Sequence, residues 1–207
     1  SGAFYKRFIE GKWVAAQGTV YPMFSSDIHV RKAPDLNLID RYYISCDYGT
    51  QNAFAALLWA RSGEKWYLIN EYRYSGRDTG YQKTDDDYVR DMETFVEKNI
   101  PEGKRTGLLT VIDPSAASFI AAIRRSRYRF RVLKADNDVL DGIRDTAVCL
   151  QRGTVRIFDT CKETIKELEG YVWDAKAEDK PVKENDHMMD AMRYFVKTKR
   201  LAKPVSR

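Results

Sequence analysis

The sequence has few cysteines and no long apolar run, and both absences exclude classes of protein. Its three cysteines, Cys46, Cys149 and Cys161, are widely separated and form no C-x-x-C pair. This spacing argues against a disulfide framework and a zinc site and suits a reducing compartment. No apolar run approaches the roughly 18 residues that cross a bilayer, so no membrane partner is predicted. The G-x-x-x-x-G-K-[ST] loop that binds ATP phosphates is absent as well.

What the sequence does contain is enough for a substantial globular core. The 207 residues are 43% hydrophobic and 13% aromatic, which excludes wholesale disorder. The net charge of +5 is a mild excess, compatible with a polyanionic partner but no proof of one. Five arginines lie between residues 124 and 131, namely Arg124, Arg125, Arg127, Arg129 and Arg131. This cluster is either a phosphate-binding surface or a solvated helix end.

The pattern divides the chain into three segments. Residues 1–40 contain short apolar pieces separated by Gly, Ser and Pro, typical of a leader that packs along a domain. Residues 41–201 form the predicted domain, and residues 202–207 form a basic tail. Strands are predicted over residues 42–47, 54–60, 66–72, 108–112, 130–133 and 155–158. Helices are predicted over residues 84–99, 116–125, 139–151, 164–169 and 186–200, with a polar loop over residues 170–184.

The order of these elements indicates an α/β fold with a mixed sheet. The first three strands are joined by short turns, which predicts an antiparallel meander. Later strands alternate with helices, which predicts parallel pairing and helices on both faces of the sheet. The strand at residues 108–112 is almost entirely apolar, as expected for a strand that is covered on both sides.

Two acidic residues follow predicted strands at positions where ligands commonly bind. Asp47 ends the first strand and Asp113 ends the fourth. If these strands are parallel neighbours, their carboxyl ends place the two side chains together. Asp at a strand end is also common in turns, so each position alone has a purely structural explanation.

The last predicted helix adds further polar groups. Asp186, His187 and Asp190 are spaced three and four residues apart, so they share one helix face. The alternative is that Asp186 only caps the helix and His187 is a surface residue. Carboxylates that gather at one end of a sheet either share a proton or hold divalent cations. Oxygen ligands suit Mg²⁺ and Mn²⁺, and two such ions roughly 3.5–4 Å apart can hydrolyse a phosphodiester.

Three segments resemble the nuclease domain of the large terminase subunit of tailed bacteriophages. They are Cys46-Asp47-Tyr48-Gly49, Asp113-Pro114-Ser115-Ala116 after its apolar strand, and the D-H-x-x-D-A-x-R-Y segment from Asp186 to Tyr194. The last is the most specific, and the similarity extends from Phe4 to about Leu201. It implies a ribonuclease H-like fold, whose strand order is the order that the hydrophobic pattern predicts independently.

The resemblance also implies an activity and its residues. It implies a metal-dependent endonuclease that cuts double-stranded DNA with little sequence preference during genome packaging, in the cytoplasm of the infected bacterium. The implied ligands of two Mg²⁺ or Mn²⁺ ions are Asp47, Asp113 and Asp190. His187 matches a position beside the metals, and Asp186 matches the motif with a less defined role.

The same family implies partners for the chain. Similar segments follow an N-terminal packaging ATPase domain, so we expect this chain to be the C-terminal half of such a protein. Portal and small terminase subunits are further expected partners. The arginines Arg124, Arg125, Arg127 and Arg129 and the loop at residues 170–184 are expected to hold or gate the duplex through phosphate contacts.

Two other functions are compatible with the sequence. One is a different ribonuclease H-like nuclease, such as a junction resolvase or a transposase-type enzyme, which would differ in the nucleic acid that it prefers. The other is a DNA-clamping or docking module that keeps the fold without useful metal affinity. Calorimetry with Mn²⁺ separates the second from a nuclease.

Overall fold

A computed structural model describes residues 18–32, 38–49, 52–177 and 179–203 of the chain. The strands are β1 (Val30–Arg31), β2 (Arg41–Asp47), β3 (Phe54–Ser62), β4 (Lys65–Tyr74), β5 (Leu109–Ile112), β6 (Arg131–Lys134) and β7 (Val155–Phe158). The helices are α1 (Ser26–His29), α2 (Gly76–Thr79), α3 (Asp85–Asn99), α4 (Ala117–Ile123), α5 (Val139–Gln151), α6 (Lys162–Gly170) and α7 (His187–Thr198). No helix among these residues is long and apolar enough to cross a membrane.

The strands form one mixed sheet in the order β1-β7-β4-β3-β2-β5-β6. The pairs β2–β3 and β3–β4 are antiparallel, which confirms the predicted meander. The pairs β2–β5, β5–β6, β4–β7 and β1–β7 are parallel. The sheet therefore has β3 and β2 at its centre and short strands at both edges.

Helices cover both faces of the sheet, as predicted. Along β3, Leu57 and Trp59 face one core cluster, which includes residues of α5, α6 and α7. Leu58 faces the other, formed largely by α3 and α4. This two-sided burial explains why residues 54–60 are apolar without alternation. On the α7 face, the Trp59 ring stacks on Phe195 with their centroids 4.4 Å apart.

Helix α3 begins at the predicted capping box. The Thr84 hydroxyl accepts a hydrogen bond from the Asp87 amide at 3.2 Å, and the Asp87 carboxylate accepts one from the Thr84 amide at 2.9 Å. Together these bonds satisfy two backbone groups that a helix start leaves unpaired. The acidic run at residues 85–87 lies at this end, where the helix dipole favours negative charge.

The described part of the first forty residues is more regular than the sequence pattern suggests. Within the described range 18–32, Val20 and Tyr21 are buried in the core, α1 follows, and β1 joins the sheet beside β7. Neither α1 nor β1 was predicted, because two to four residues are too short for a periodic signal. The remaining predicted leader, residues 1–17 and 33–37, lies outside the described residues, as does the tail at residues 204–207.

The polar segment at residues 170–184 is attached to the domain by an isolated bridge between Thr19 and Val172 and by the buried side chains of Tyr171 and Trp173. A second bridge, between Trp173 and Pro181, lies within the segment. The short helix α2 after β4 is a further element that the sequence pattern did not predict.

A buried carboxylate on another helix caps the N-terminus of α7. Asp186 occupies the N-cap position of α7, but its side chain makes no capping hydrogen bond. Instead, Glu167 of α6 accepts hydrogen bonds from the amides of Met188 at 2.8 Å and Met189 at 3.2 Å. Glu167 is 7% exposed, and this burial raises its pKa from 4.5 to about 8.

The raised pKa of Glu167 predicts a pH-dependent stability. Between about pH 4.5 and pH 8 the folded protein retains a proton that the unfolded chain releases. This contribution to stability is complete below pH 4.5 and is lost as the pH rises towards 8. We expect Glu167→Gln, which cannot ionise, to flatten the dependence of the unfolding free energy on pH, measured by urea denaturation from pH 5 to 8.5. Equal slopes in the variant and the parent chain would contradict this assignment.

Candidate active site

Asp47 and Asp113 lie side by side at the carboxyl ends of β2 and β5, because these two strands are parallel neighbours. The register pairs Cys46 with Ile112, so Asp47, the last residue of β2, and Asp113, the first after β5, come next along the two strands. The parallel pairing predicted for these strands is confirmed. Asp113 is 8% exposed and the Asp47 side chain is 16% exposed.

Helix α7 brings two more functional side chains to this edge. Its first residue, His187, has Nδ1 2.9 Å from Oδ2 of Asp47. Asp190 lies one turn further along and is 8% exposed. The helix presses on the sheet through an almost continuous apolar face that includes Met188, Met192 and Phe195. This apolar packing holds the polar first turn of α7 against the end of β2.

The buried hydroxyl of Tyr194 experiences the charge of all three acids. Its pKa is raised first by burial and then by the negative charges of Asp47, Asp190 and Asp113. The positions of the acids follow from the strand register and from α7. Asp47 and Asp113 end neighbouring parallel strands, and Asp190 lies in the first turn of the helix whose His187 contacts Asp47.

Asp47 and His187 shift each other's protonation. Burial raises the pKa of Asp47, the hydrogen bond from His187 opposes this, and the charge of Asp190 adds to the rise. The same hydrogen bond is the main reason that the pKa of His187 is raised above its ordinary value. An imidazolium beside a carboxylate is favourable for both groups, so the contact favours the charged form of each.

Two cationic side chains form ion pairs with Asp190 of α7 and with Asp186, the residue before this helix. Arg193 donates from Nη2 to Oδ1 of Asp190 at 2.8 Å, and its side chain is 3% exposed. Lys183, from the polar segment, places Nζ 3.0 Å from Oδ2 of Asp190 and 3.0 Å from Oδ2 of Asp186. The ammonium group of Lys183 therefore lies between two carboxylates, in the kind of position that a bound cation would take.

Asp113 is instead surrounded by neutral donors. Its Oδ1 accepts the Ser115 amide at 2.8 Å, and its Oδ2 accepts Nδ2 of Asn137 at 3.0 Å. Burial alone would raise its pKa, but hydrogen bonds from Ser115, Asn137 and Tyr194 hold the pKa below its ordinary value. Asp113 is thus the acid whose charge the surrounding hydrogen bonds stabilise most directly.

An open cleft of about 390 Å³ gives access to this acidic edge. Asp47, Asp186, His187 and Asp190 line it together with cationic residues of β4, α2 and the polar segment, namely Arg73, Arg77 and Lys183. Asp113 does not line the cleft. The mixture of acids and cations suits a ligand that carries negative charge of its own, because cations can contact it while the acids hold metal.

The predicted arginine cluster divides into paired and unpaired residues. Arg127 forms an ion pair with Glu93, with Nε 3.2 Å from Oε2, and another with Glu97. Arg124 and Arg125 are exposed at the end of α4, and within the described parts of the chain neither forms an ion pair with an acid. Arg129 is also exposed, with a left-handed φ of 49°. A role for these arginines in DNA binding stays a prediction.

Sequence reasoning missed three residues that support the acids. Arg193 could have been found, because it lies three residues after Asp190 on the same helix face. Lys183 and Asn137 reach the site from a loop and from the turn after β6, and nothing in their local sequence marks them. Their positions depend on tertiary packing alone.

The donor set fits a divalent cation in its chemistry, although it is not assembled as a metal cage. Within residues 18–32, 38–49, 52–177 and 179–203, no three acidic, His or Cys side chains are grouped so as to hold a metal ion as they stand. The contacts explain why, since Lys183 and Arg193 engage both oxygens of Asp190. Carboxylate oxygens and one imidazole at a water-accessible edge remain suitable ligands for Mg²⁺ or Mn²⁺.

The fold and site together define an α/β protein of the ribonuclease H-like class. The defining features are the β4-β3-β2-β5-β6 sheet, with its first three strands antiparallel, and the acids at the carboxyl ends of β2 and β5. The family described as the terminase RNaseH-like domain matches residues 44–199. The chain belongs to this family. No curated protein sequence matches the chain.

Solved structures of terminases are similar to this chain. The large terminase from a thermophilic bacteriophage has 48% identity and a TM-score of 0.87 over 96% of this chain. This chain covers 48% of that one, so it spans about half the length of the thermophilic phage protein. The P22 large terminase nuclease domain has 16% identity and a TM-score of 0.69, with 91% of this chain and 95% of that chain covered.

A third similar structure contains a metal. The nuclease domain of the large terminase from bacteriophage SPP1, solved with bound Mn, has 18% identity and a TM-score of 0.60, with 90% of this chain and 99% of that chain covered. At this identity the likeness shows the fold alone.

The position of Lys183 predicts that it competes with a metal ion. We expect Lys183→Met to tighten Mn²⁺ binding by up to about 5-fold, since an exposed ion pair contributes up to about 1 kcal/mol and 1.4 kcal/mol is a factor of ten. The side chain of Lys183 is 57% exposed, so we expect little change in folding. Isothermal calorimetry with Mn²⁺ measures the effect.

Lys180→Met is the matched control for this prediction, because Lys180 lies in the same segment and is exposed. We expect it to bind Mn²⁺ like the parent chain. If all three proteins have the same Mn²⁺ affinity, Lys183 does not compete for the site.

Proposed function

We propose that this chain is a divalent-metal-dependent endonuclease that cleaves double-stranded DNA with little sequence specificity during phage genome packaging. The observation that carries the proposal is that Asp47 and Asp113 end neighbouring parallel strands while Asp190 lies in the first turn of α7, in a member of the terminase RNaseH-like domain family. The thermophilic phage protein, a large terminase, supports it by its similarity.

Asp47, Asp113 and Asp190 would hold two Mg²⁺ or Mn²⁺ ions, with His187 and Asp186 beside them. When bound, the ions would supply an activated water and charge stabilisation for the leaving oxygen of the phosphodiester. The similar domain of SPP1 was solved with Mn, which makes Mn²⁺ a suitable probe.

The side chains of the cleft have roles that do not depend on the identity of the ion. His187 fixes the orientation of the Asp47 carboxylate by the contact from Nδ1 at 2.9 Å. Arg73 and Arg77 line the cleft and would contact the phosphates of a duplex. The polar segment at residues 170–184 brings Lys183 to the same cleft, so it would order or gate the approaching strand.

The partners of the chain follow from the same proposal. The thermophilic phage protein is about twice as long as this chain, which supports an N-terminal packaging ATPase domain in the same polypeptide. Portal and small terminase subunits would be further partners in the cytoplasm of the infected host. The proposed domain boundaries are a leader over residues 1–40, the nuclease over residues 41–201 and a basic tail over residues 202–207.

Removal of single acids tests the proposed activity. We expect Asp47→Asn and Asp190→Asn to reduce nicking of a supercoiled plasmid by on the order of 100-fold or more, since metal ions supply several kcal/mol of transition-state stabilisation. Cleavage by the parent chain should require Mn²⁺ or Mg²⁺ and stop with EDTA. Asp86→Asn, at an exposed acid of α3, is the control and should cut normally.

The acid assignment is wrong if either variant cuts as well as the parent chain. If the parent chain neither cuts DNA nor releases heat with millimolar Mn²⁺, a DNA-clamping module without catalysis is the better description. A preference for four-way junctions or RNA–DNA hybrids over linear duplex would favour a different ribonuclease H-like nuclease.

The arginine cluster gives a separate prediction on DNA binding. Because Arg125 has no acidic partner in the described chain while Arg127 is paired with Glu93 and Glu97, we expect Arg125→Ala to weaken duplex binding more than Arg127→Ala. The loss of affinity should be similar for unrelated DNA sequences. The slope of log affinity against log salt concentration should become shallower by about one. Fluorescence anisotropy at several salt concentrations measures both quantities. Equal losses in the two variants would contradict the distinction.

A further inference from the structure

The turn between β6 and α5 connects two acids that lie on different elements. Asn137 in this turn donates from Nδ2 to Oδ2 of Asp113 at 3.0 Å. The backbone carbonyl of the same residue accepts Nη1 of Arg193 at 2.7 Å. Arg193 in turn donates from Nη2 to Oδ1 of Asp190 at 2.8 Å. Three hydrogen bonds therefore run from Asp113 to Asp190, and we call this connection the Asn137–Arg193 bridge.

The arginine of the bridge is buried, whereas Asn137 is exposed at the surface of the turn. Arg193 is 3% exposed, and its Nη1 has a second acceptor in the carbonyl of Asp138 at 3.2 Å. The aliphatic part of Arg193 passes over Gly142 of α5, where a Cβ would overlap the Arg193 side chain. Because the guanidinium donates to two backbone carbonyls and the side chain packs on a glycine, Arg193 has few alternative positions.

The same turn is fastened to both elements that carry the acids. The Ala135 amide donates to the carbonyl of Ile112, the last residue of β5, at 2.9 Å. The Asp136 amide donates to Oγ1 of Thr198 at the end of α7, also at 2.9 Å. Because the turn contacts β5 and α7 directly, it is placed to fix their relative position.

We propose that Asn137 is a positioning residue that, through Arg193, sets the separation of the Asp113 and Asp190 carboxylates for divalent cations. This inference rests on the proposed function and adds a residue to it. Metal ligands must be held within roughly 0.5 Å of their productive positions. Loss of residues that orient ligands typically weakens metal binding or activity by about 10- to 100-fold. Asn137 touches neither substrate nor metal in this role, because it acts through Asp113 and Arg193.

A double-mutant cycle on Mn²⁺ affinity tests the bridge. The first variant, Asn137→Ala, removes the donor to Asp113. The second, Arg193→Lys, keeps the positive charge but loses the planar guanidinium that donates to two acceptors at once. The third is the double variant. Calorimetry gives the Mn²⁺ affinity, denaturation gives the stability, and plasmid cleavage at varied Mn²⁺ separates the metal requirement from the maximal rate. Asn99→Ala is the control, since Asn99 is a half-buried asparagine with hydrogen bonds to Asn70 and Phe95 between β4 and α3.

We expect Asn137→Ala to weaken Mn²⁺ binding by about 10- to 100-fold and to raise the Mn²⁺ concentration needed for cleavage. Asn99→Ala should lose stability without this change. The double variant should bind Mn²⁺ no more weakly than the weaker single variant, because one connection is broken in both. Normal Mn²⁺ binding by Asn137→Ala, or losses that multiply in the double variant, would overturn the bridge.

The two proposals fail in different ways. If the parent chain binds Mn²⁺ and cuts DNA while Asn137→Ala does the same at the same Mn²⁺ concentration, only the bridge is wrong. If the parent chain neither binds Mn²⁺ nor cuts DNA, the proposed function fails and the bridge, which has no metal to serve, fails with it.

Discussion

The structure depends on how it compensates negative charge at the end of a buried sheet. The side chains of Asp47, Asp113 and Asp190 are mostly buried, and like charges at such a position strongly disfavour one another. A different set of groups compensates the charge of each acid. His187 contacts Asp47, neutral donors surround Asp113, and Arg193 with Lys183 engages Asp190. Compensation of this kind keeps the acids together, and the ammonium group of Lys183 is the part of it that an incoming cation would replace.

Most of the fold could be predicted from the sequence because its central elements have strong local signals. The buried run of β3, the capping box of α3 and the apolar stripe of α7 are visible without tertiary information. Asp47 and Asp113 were identifiable for a related reason, since a strand end is visible in the sequence and parallel strands bring their ends together. The short elements α1, β1 and α2 were not, since a few residues carry no usable period.

Apart from Arg193, the supporting groups of the site could not be predicted, because tertiary packing alone defines them. Glu167 lies on α6 with an ordinary amphipathic pattern, yet it caps a different helix. Asn137 looks like a turn residue, and only the position of the β6–α5 turn beside β5 brings it to Asp113. A sequence pattern can identify groups that carry charge at strand ends, whereas the groups that hold them are scattered along the chain.

The two ends of the sheet have a consequence for self-association. Among the described residues, one side of the sheet ends at β1, which consists of Val30 and Arg31. The other side ends at β6, which is four residues long and begins and ends with the exposed cations Arg131 and Lys134. Short edge strands and like charges disfavour pairing with a strand from a second copy. In the part of the chain that the structure describes, neither side of the sheet is therefore a long template onto which the sheet of another molecule could add.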